Sequence, residues 1–268
     1  MRKIRLMVVQ YKIDYLKIKS NLLKFERLIK KYRFFKPDLV VFPEYALTGP
    51  LYGHYDLALS QNDQVVEDLK ELARRYGVNI IPGSLGRIDN GRKFNSTCFI
   101  DGYGKLEGFY DKQKLWSSEK KFLVPGSESM VWNTKLGRIG IQICADLISP
   151  QVSADYLKSK PEIIINLAMW SKEDVKAAKK KVVTNLEINQ TEVLAKARAL
   201  ENRAYFVFCN YGGGVEIKAR SGRFYEENSV GNSMVVSPYG EIIAKAMGEN
   251  EEVLMVEIDL AKCHWADY

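Results

Sequence analysis

Short apolar runs alternating with amphipathic stretches constrain this chain more than any other feature. Residues 5–11 (RLMVVQY) predict a buried first strand. Leu22, Phe25, Leu28, Ile29 and Tyr32 then recur at three- and four-residue steps, which predicts a helix with its Lys and Arg on the solvent side. A second strand follows at 38–42 (DLVVF), and Pro43 must end it because proline has no N–H for a central ladder. Val65, Val66, Leu69, Leu72 and Tyr76 mark a second helix before a strand at 78–82.

Hairpins then break the alternation. Asp89, Asn90 and Gly91 form a turn signal between predicted strands at 84–88 and 94–101. Gly102 and Gly104 lead into a strand at 105–110, and strands at 130–134 and 138–144 share a turn at Gly137. A helix is expected after Ser149 and a strand at 162–166. The longest helix is expected at 185–203, followed by strands at 205–210, 233–237, 241–245 and 253–259. This pattern predicts an α/β fold with one large mixed sheet or two stacked sheets, helices outside. No Pro/Gly/Ser-rich linker divides the chain, so one domain spanning residues 1–268 is the economical reading.

Composition excludes several classes. The net charge is +7, from 40 Lys+Arg against 33 Asp+Glu, but the basic residues are interspersed with acids. The densest cluster, Lys179, Lys180 and Lys181 beside Ala177 and Ala178, reads as a solvated helical face, so no nucleic-acid partner is expected. No apolar run approaches a membrane span, and residues 6–9 are too short for a signal-peptide core; a cytoplasmic protein is expected. Cys98, Cys144, Cys209 and Cys263 are far apart with no CxxC pair, which predicts neither a disulfide framework nor a zinc site. His54 and His264 are the two histidines, and neither sits in an informative context.

Cys144 ends the run GRIGIQIC, at the edge of a strand where α/β sheets place their ligands; the competing reading is a small buried hydrophobe. Cys98 and Cys209 lie mid-strand among apolar neighbours and read as structural, and Cys263 lies in a tail. Glu44, after the strand-ending proline, also falls at a sheet edge, with a helix cap or surface acid as its plain reading. Lys112 and Glu119 read equally well as solvated charges.

Together these residues resemble the nitrilase superfamily, the carbon–nitrogen hydrolases. FPEYALTG carries Glu44, YDKQKLW carries Lys112 and GIQICAD carries Cys144, in the family's order. Asn166 to Trp170 (NLAMW), Ala197 to Asn202 (ARALEN), Gly231 to Met234 and Pro238 to Glu241 extend the resemblance over nearly the whole chain. The resemblance implies a four-layer α-β-β-α sandwich and a Glu44–Lys112–Cys144 triad. Glu119 matches a second glutamate that positions the lysine or the substrate, whereas Lys114 stands where many members carry histidine and is given no catalytic role.

Chemistry supplies a reason for each residue. A thiolate is the attacking species and a neighbouring cation, Lys112, favours it. Glu44 would take the thiol proton and return it to the departing amine or ammonia. Lys112 and the Ala145 N–H would hold the developing oxyanion. The scheme needs no cofactor, no metal and no histidine. Trp170, the loop around Tyr52 to Tyr55 and residues 212–228 are expected to shape the pocket.

Departures from the family pattern narrow the substrate. True nitrilases usually follow the nucleophile with Trp-Glu, whereas this chain has Ala145 and Asp146, as in amidase-type branches. Branches that act on acidic amides often place arginine soon after that aspartate as a carboxylate clamp; here Leu147 and Ile148 follow. The expectation is a hydrolase for a small, neutral or weakly polar linear amide, acting through a Cys144 thioester and assembled as a homodimer or larger homo-oligomer. A true nitrilase and a catalytically silent scaffold of the same fold are the alternatives. A glutaminase feeding a synthetase would need a partner chain, because the Gly212-Gly213-Gly214 run lacks the Lys-Ser/Thr of a P-loop.

Overall fold

The computed structural model describes residues 2–60, 63–172 and 185–264. Two β-sheets lie face to face, each covered outside by helices, which is the four-layer arrangement expected. The first contains β1 (Lys3–Gln10), β2 (Leu39–Val41), β3 (Asn79–Ile81), β4 (Leu85–Asp89), β5 (Arg92–Ile100), β6 (Leu106–Asp111) and β15 (Glu252–Asp259). Its order is β15-β1-β2-β3-β5-β4, with β6 also paired to β5. The second runs β14 (Ile242–Lys245), β13 (Met234–Val236), β10 (Tyr205–Asn210), β9 (Ile163–Ala168), β8 (Gly137–Ile143) and β7 (Met130–Thr134).

Alternation along the strands builds the layers. Leu6 and Val8, Leu39 and Val41 face Ile139, Ile141 and Ile165 in the core between the sheets. Met7, Val9 and Val40 face outward and pack under α1 (Ile18–Tyr32) and α2 (Gln64–Tyr76), which contribute Phe25, Ile29, Leu69 and Leu72. On the other side, Ile164, Phe206 and Phe208 pack under Ala195 and Ala199 of α5 (Leu186–Asn202). Fully burying each Val, Leu, Ile, Phe or Met among them contributes about 1.5–3 kcal/mol before conformational entropy is set against it.

The local signals explain the boundaries. The Asp63 side chain accepts from Val65 N at 3.0 Å and caps the start of α2, and Gly77 ends that helix at φ +61°. Asn90 and Gly91, both at positive φ, make the two-residue turn that pairs Asp89 with Arg92. The helix expected after Ser149 is two short ones, α3 (Pro150–Ala154) and α4 (Tyr156–Ser159).

Three expectations need adjustment. The strand carrying Cys144 stops at Ile143, and Cys144 opens a 3-10 turn. Part of the 212–228 segment is an additional hairpin, β11 (Gly214–Lys218) with β12 (Phe224–Asn228). Only Val215 and Ile217 of β11 are buried, too short an alternation beside the glycines to stand out in the sequence. Cys263 is half-buried against the inter-sheet core, with its thiol bonded to the Glu162 carbonyl, and is not a loose tail residue. The cluster at Lys179, Lys180 and Lys181 lies outside the described residues. Among the described residues no helix is long and apolar enough to cross a membrane.

Candidate active site

Three chain segments that follow strands meet at one end of the sandwich. Glu44 follows β2, where Pro43 ends the ladder. The chain passes so close to Gly83 that a Cβ there would lie 2.0 Å from the Pro43 carbonyl oxygen. Tyr45 turns at φ +53°, and its N–H is held by Ser84 Oγ at 3.0 Å. Lys112 follows β6. Its N–H donates to the Asn95 carbonyl at 2.8 Å, and its own carbonyl accepts from Gly126 N at 2.9 Å. Gly126 cannot carry a side chain, because a Cβ would lie 2.2 Å from the Asp111 carbonyl oxygen.

Cys144 follows β8 at φ +46°, a left-handed conformation that costs a non-glycine residue on the order of 1–3 kcal/mol. Asp146, two residues on, offsets that strain. Its carboxylate accepts from Ile143 N at 2.9 Å, Lys114 N at 2.7 Å and Tyr110 Oη at 2.7 Å, tying the Cys144 turn to the lysine segment. Burial pushes the Asp146 carboxyl up to about 6, against the pull of those three donors and of Lys112. Arg198 of α5 bonds the Leu147 carbonyl through Nη2 at 3.1 Å and fixes the far end of the turn.

Within this frame the charged groups form a buried ring. Lys112 Nζ lies 2.8 Å from Glu44 Oε1 and 2.8 Å from Glu119 Oε2. Asn95 Nδ2 donates to Glu44 Oε1 and to Glu119 Oε1, both at 2.8 Å. Tyr45 Oη donates to Glu119 Oε1 at 2.9 Å and Trp116 N to Glu119 Oε2 at 2.8 Å. Met169 N donates to Glu44 Oε2 at 2.9 Å, and the Cys144 thiol is hydrogen-bonded to the same carboxylate. Lys112 is 2% exposed, so these charges interact with little solvent screening.

Burial and partners set the protonation of each group. Burial raises Glu44 above the ordinary carboxylate range, reinforced by the charge of Glu119 and only partly offset by Lys112 and Cys144. Burial also opposes the charge on Glu119, but Lys112, the Trp116 N–H and Asn95 outweigh it and hold that carboxyl low. For Lys112, burial is likewise overcome by Glu119, Glu44 and Cys144, which keep the ammonium protonated well above the usual lysine range.

A cavity of about 290 Å³ opens over these groups, lined by Cys144, Ala145, Glu44, Lys112 and Glu119 on its floor. Tyr52, Trp116, Ile148, Trp170, Glu187 and Glu227 line its walls. Trp170 is held by a bond from its indole N–H to Glu187, and Tyr52 by a bond from Oη to Glu227 at 2.9 Å. Glu44, Lys112, Glu119, Cys144, Ala145 and Trp170 all line this cavity, whereas of the loop around Tyr52 to Tyr55 and residues 212–228 only Tyr52 and Glu227 do so. Lys114 is exposed and joins the site only through its backbone N–H. Cys98 and Cys209 are buried away from the cavity; burial pushes the Cys98 thiol up to about 12 and raises that of Cys209 further. Among the described residues neither histidine lines the cavity, and no three His, Cys, Asp or Glu side chains are grouped to hold a metal ion.

Sequence reasoning missed Asn95, Tyr45 and the wall carboxylates. Asn95 had a signal: Asn95, Ser96 and Thr97 are consecutive polar residues inside a strand, and all are fully buried. Buried polar groups of that kind demand partners. Glu187 and Glu227 had none, because a helix's first turn and an exposed hairpin are ordinary places for glutamate.

Comparison with known proteins places this geometry in context. The sequence matches the profile of the carbon–nitrogen hydrolase family over residues 5–267. It is 30% identical over 233 residues to a Staphylococcus lugdunensis protein described as a hydrolase in the agr operon, covering 83% of this chain and 88% of that protein. It is 27% identical over 273 residues to omega-amidase NIT2 of Xenopus tropicalis, covering 97% and 90%. Among solved structures, Saccharomyces cerevisiae Nit3, a member of branch 10 of the nitrilase superfamily, superposes with a TM-score of 0.79 at 23% identity, covering 96% of this chain and 90% of Nit3. At that identity the superposition speaks to the fold alone.

Proposed function

The chain belongs to the carbon–nitrogen hydrolase family, and from that premise we propose that it cleaves the carbon–nitrogen bond of a small linear amide through a thioester on Cys144. The observation that carries this reading is the Glu44–Lys112–Glu119 ring beneath the Cys144 thiol in one cavity. The amidase naming of relatives such as NIT2 favours amides over nitriles, as does Ala145-Asp146 after the nucleophile.

Glu44 takes the Cys144 proton as the thiolate attacks the amide carbonyl carbon, forming a C–S bond and a tetrahedral oxyanion. The Lys112 ammonium and the Ala145 N–H stabilise that oxyanion. Glu44 returns the proton to the nitrogen, the C–N bond breaks, and ammonia or an amine leaves an acyl-Cys144. Water, deprotonated by Glu44, then releases the carboxylic acid and the thiol. Trp170, Tyr52 and Trp116 form the walls that hold the acyl chain.

Matched panels of aliphatic amides and nitriles, followed by ammonia release, test the reaction class. Amide turnover that disappears in Cys144→Ala supports the proposal. Turnover of nitriles alone assigns the chain as a nitrilase, and turnover of neither assigns a scaffold.

We also propose a homodimer or larger assembly. Leu157 lines a groove with Pro150, Ala154, Glu201 and Arg203, and Leu200, next to Glu201 in sequence, is like Leu157 nearly half exposed. Light scattering on the wild type and on Leu157→Glu/Leu200→Glu tests it; a wild-type monomer contradicts it.

A further inference from the structure

Counting acceptor positions around the two carboxylates yields a division of labour that rests on the hydrolase reading above. An ionised carboxylate offers about four lone-pair positions. Glu119 has all of its positions filled: Oε1 by Asn95 and Tyr45, Oε2 by Lys112 and Trp116. Glu44 Oε1 is filled by Lys112 and Asn95, whereas Glu44 Oε2 accepts one backbone donor, Met169 N. Among the described residues, the position left for the Cys144 proton is therefore the second one on Glu44 Oε2.

Asn95 makes this arrangement possible. Its single amide nitrogen reaches both carboxylates, and as a neutral donor it separates two like charges without adding a third. It is fully buried and does not belong to the described cavity lining, so it acts through Glu44 and Glu119. We propose that Asn95 is a positioning residue that closes Glu44 Oε1 and Glu119 Oε1 to protons and so directs the thiol proton to Glu44 Oε2. The titratable groups facing Glu44 here are Lys112, Glu119, Cys144 and Tyr45. Without the Asn95 bridge, Glu119 loses a donor that holds its proton affinity down, and its titration rises toward that of Glu44.

The test uses the full-length protein with 13C-labelled glutamate side chains, titrated by NMR, alongside pH profiles of amide turnover. In the wild type, Glu119 titrates well below Glu44. Asn95→Leu, which keeps the volume and removes the donor without adding a charge, is expected to bring the Glu119 titration up toward that of Glu44. It also raises the acid limb of kcat by about one pH unit or more, lowers kcat roughly 100-fold and changes KM little. Asn95→Gln, which restores an amide donor, is expected to recover part of the separation, which a packing role alone would not do. Unchanged Glu44 and Glu119 titrations in a folded Asn95→Leu protein overturn the proposal. The NMR readout does not require turnover, so a wild type that hydrolyses no amide contradicts the hydrolase reading and leaves the Asn95 result to be read on its own.

Discussion

Glu44 and Glu119 grip the same ammonium, each at 2.8 Å from Lys112 Nζ, yet their protonation is driven in opposite directions. Glu119, with four donors, is the fixed counter-charge of Lys112. Glu44, deeper and with the Cys144 thiol as its fourth donor, is the one to which the proposed mechanism gives the proton exchange. Two carboxylates pushed apart by environment is a general route to separate acid–base and electrostatic roles.

The first prediction concerns pH. Glu44 must be ionised to accept the thiol proton, and its raised proton affinity keeps it protonated to a higher pH than an ordinary carboxyl. The acid limb of kcat/KM should therefore lie above the usual glutamate value of 4.5. Glu119→Gln removes a negative charge that raises Glu44, so the limb should move to lower pH. The loss of the Lys112 counter-charge should lower kcat about 10- to 100-fold. A limb that stays in place or moves up contradicts this account.

Lys112 ties catalysis to stability. Lys112→Met leaves two buried carboxylates without their cation, which should cost about 3–5 kcal/mol near neutral pH. Both carboxyls are then raised, so the stability they contribute while protonated is lost as pH rises through their folded values. Urea denaturation of the variant should show a smaller deficit at pH 5 than at pH 8. Amide turnover should fall by about 100-fold or more, because an oxyanion donor is gone.

The cavity wall makes a third prediction. Ile148, apolar and two residues after Asp146, lines it, and Glu187 and Glu227 add negative charge. Among the described lining residues the only cation is Lys112, and it is engaged by Glu44 and Glu119. A linear amide ending in a carboxylate should show kcat/KM at least about tenfold below that of its neutral isostere, with the gap narrowing at high salt. Equal or better turnover of the acidic amide contradicts it.

Much of this was legible in the sequence because period and punctuation agree. Phe25 and Ile29 at helical spacing, Pro43 after an apolar run and Asn90-Gly91 between strands each specify a local structure that tertiary packing then accepts. Glu44, Lys112 and Cys144 were legible through their flanking motifs. The wiring between them was not. Asn95, Tyr45 and Glu119 meet because strands distant in sequence share a sheet end, and nothing in the local pattern of β5 encodes which carboxylates it will face. The β11–β12 hairpin was missed because its second strand is mostly exposed and lacks an apolar face.

The central claim is that Cys144 carries the acyl group. Wild-type protein mixed with a small aliphatic amide, quenched in acid during turnover and digested, should give a peptide containing Cys144 heavier by the acyl group less one hydrogen. That mass should be absent from Cys144→Ala and from unreacted protein. Amide hydrolysis that persists in Cys144→Ala, or an acyl group found on any other residue, would contradict the account.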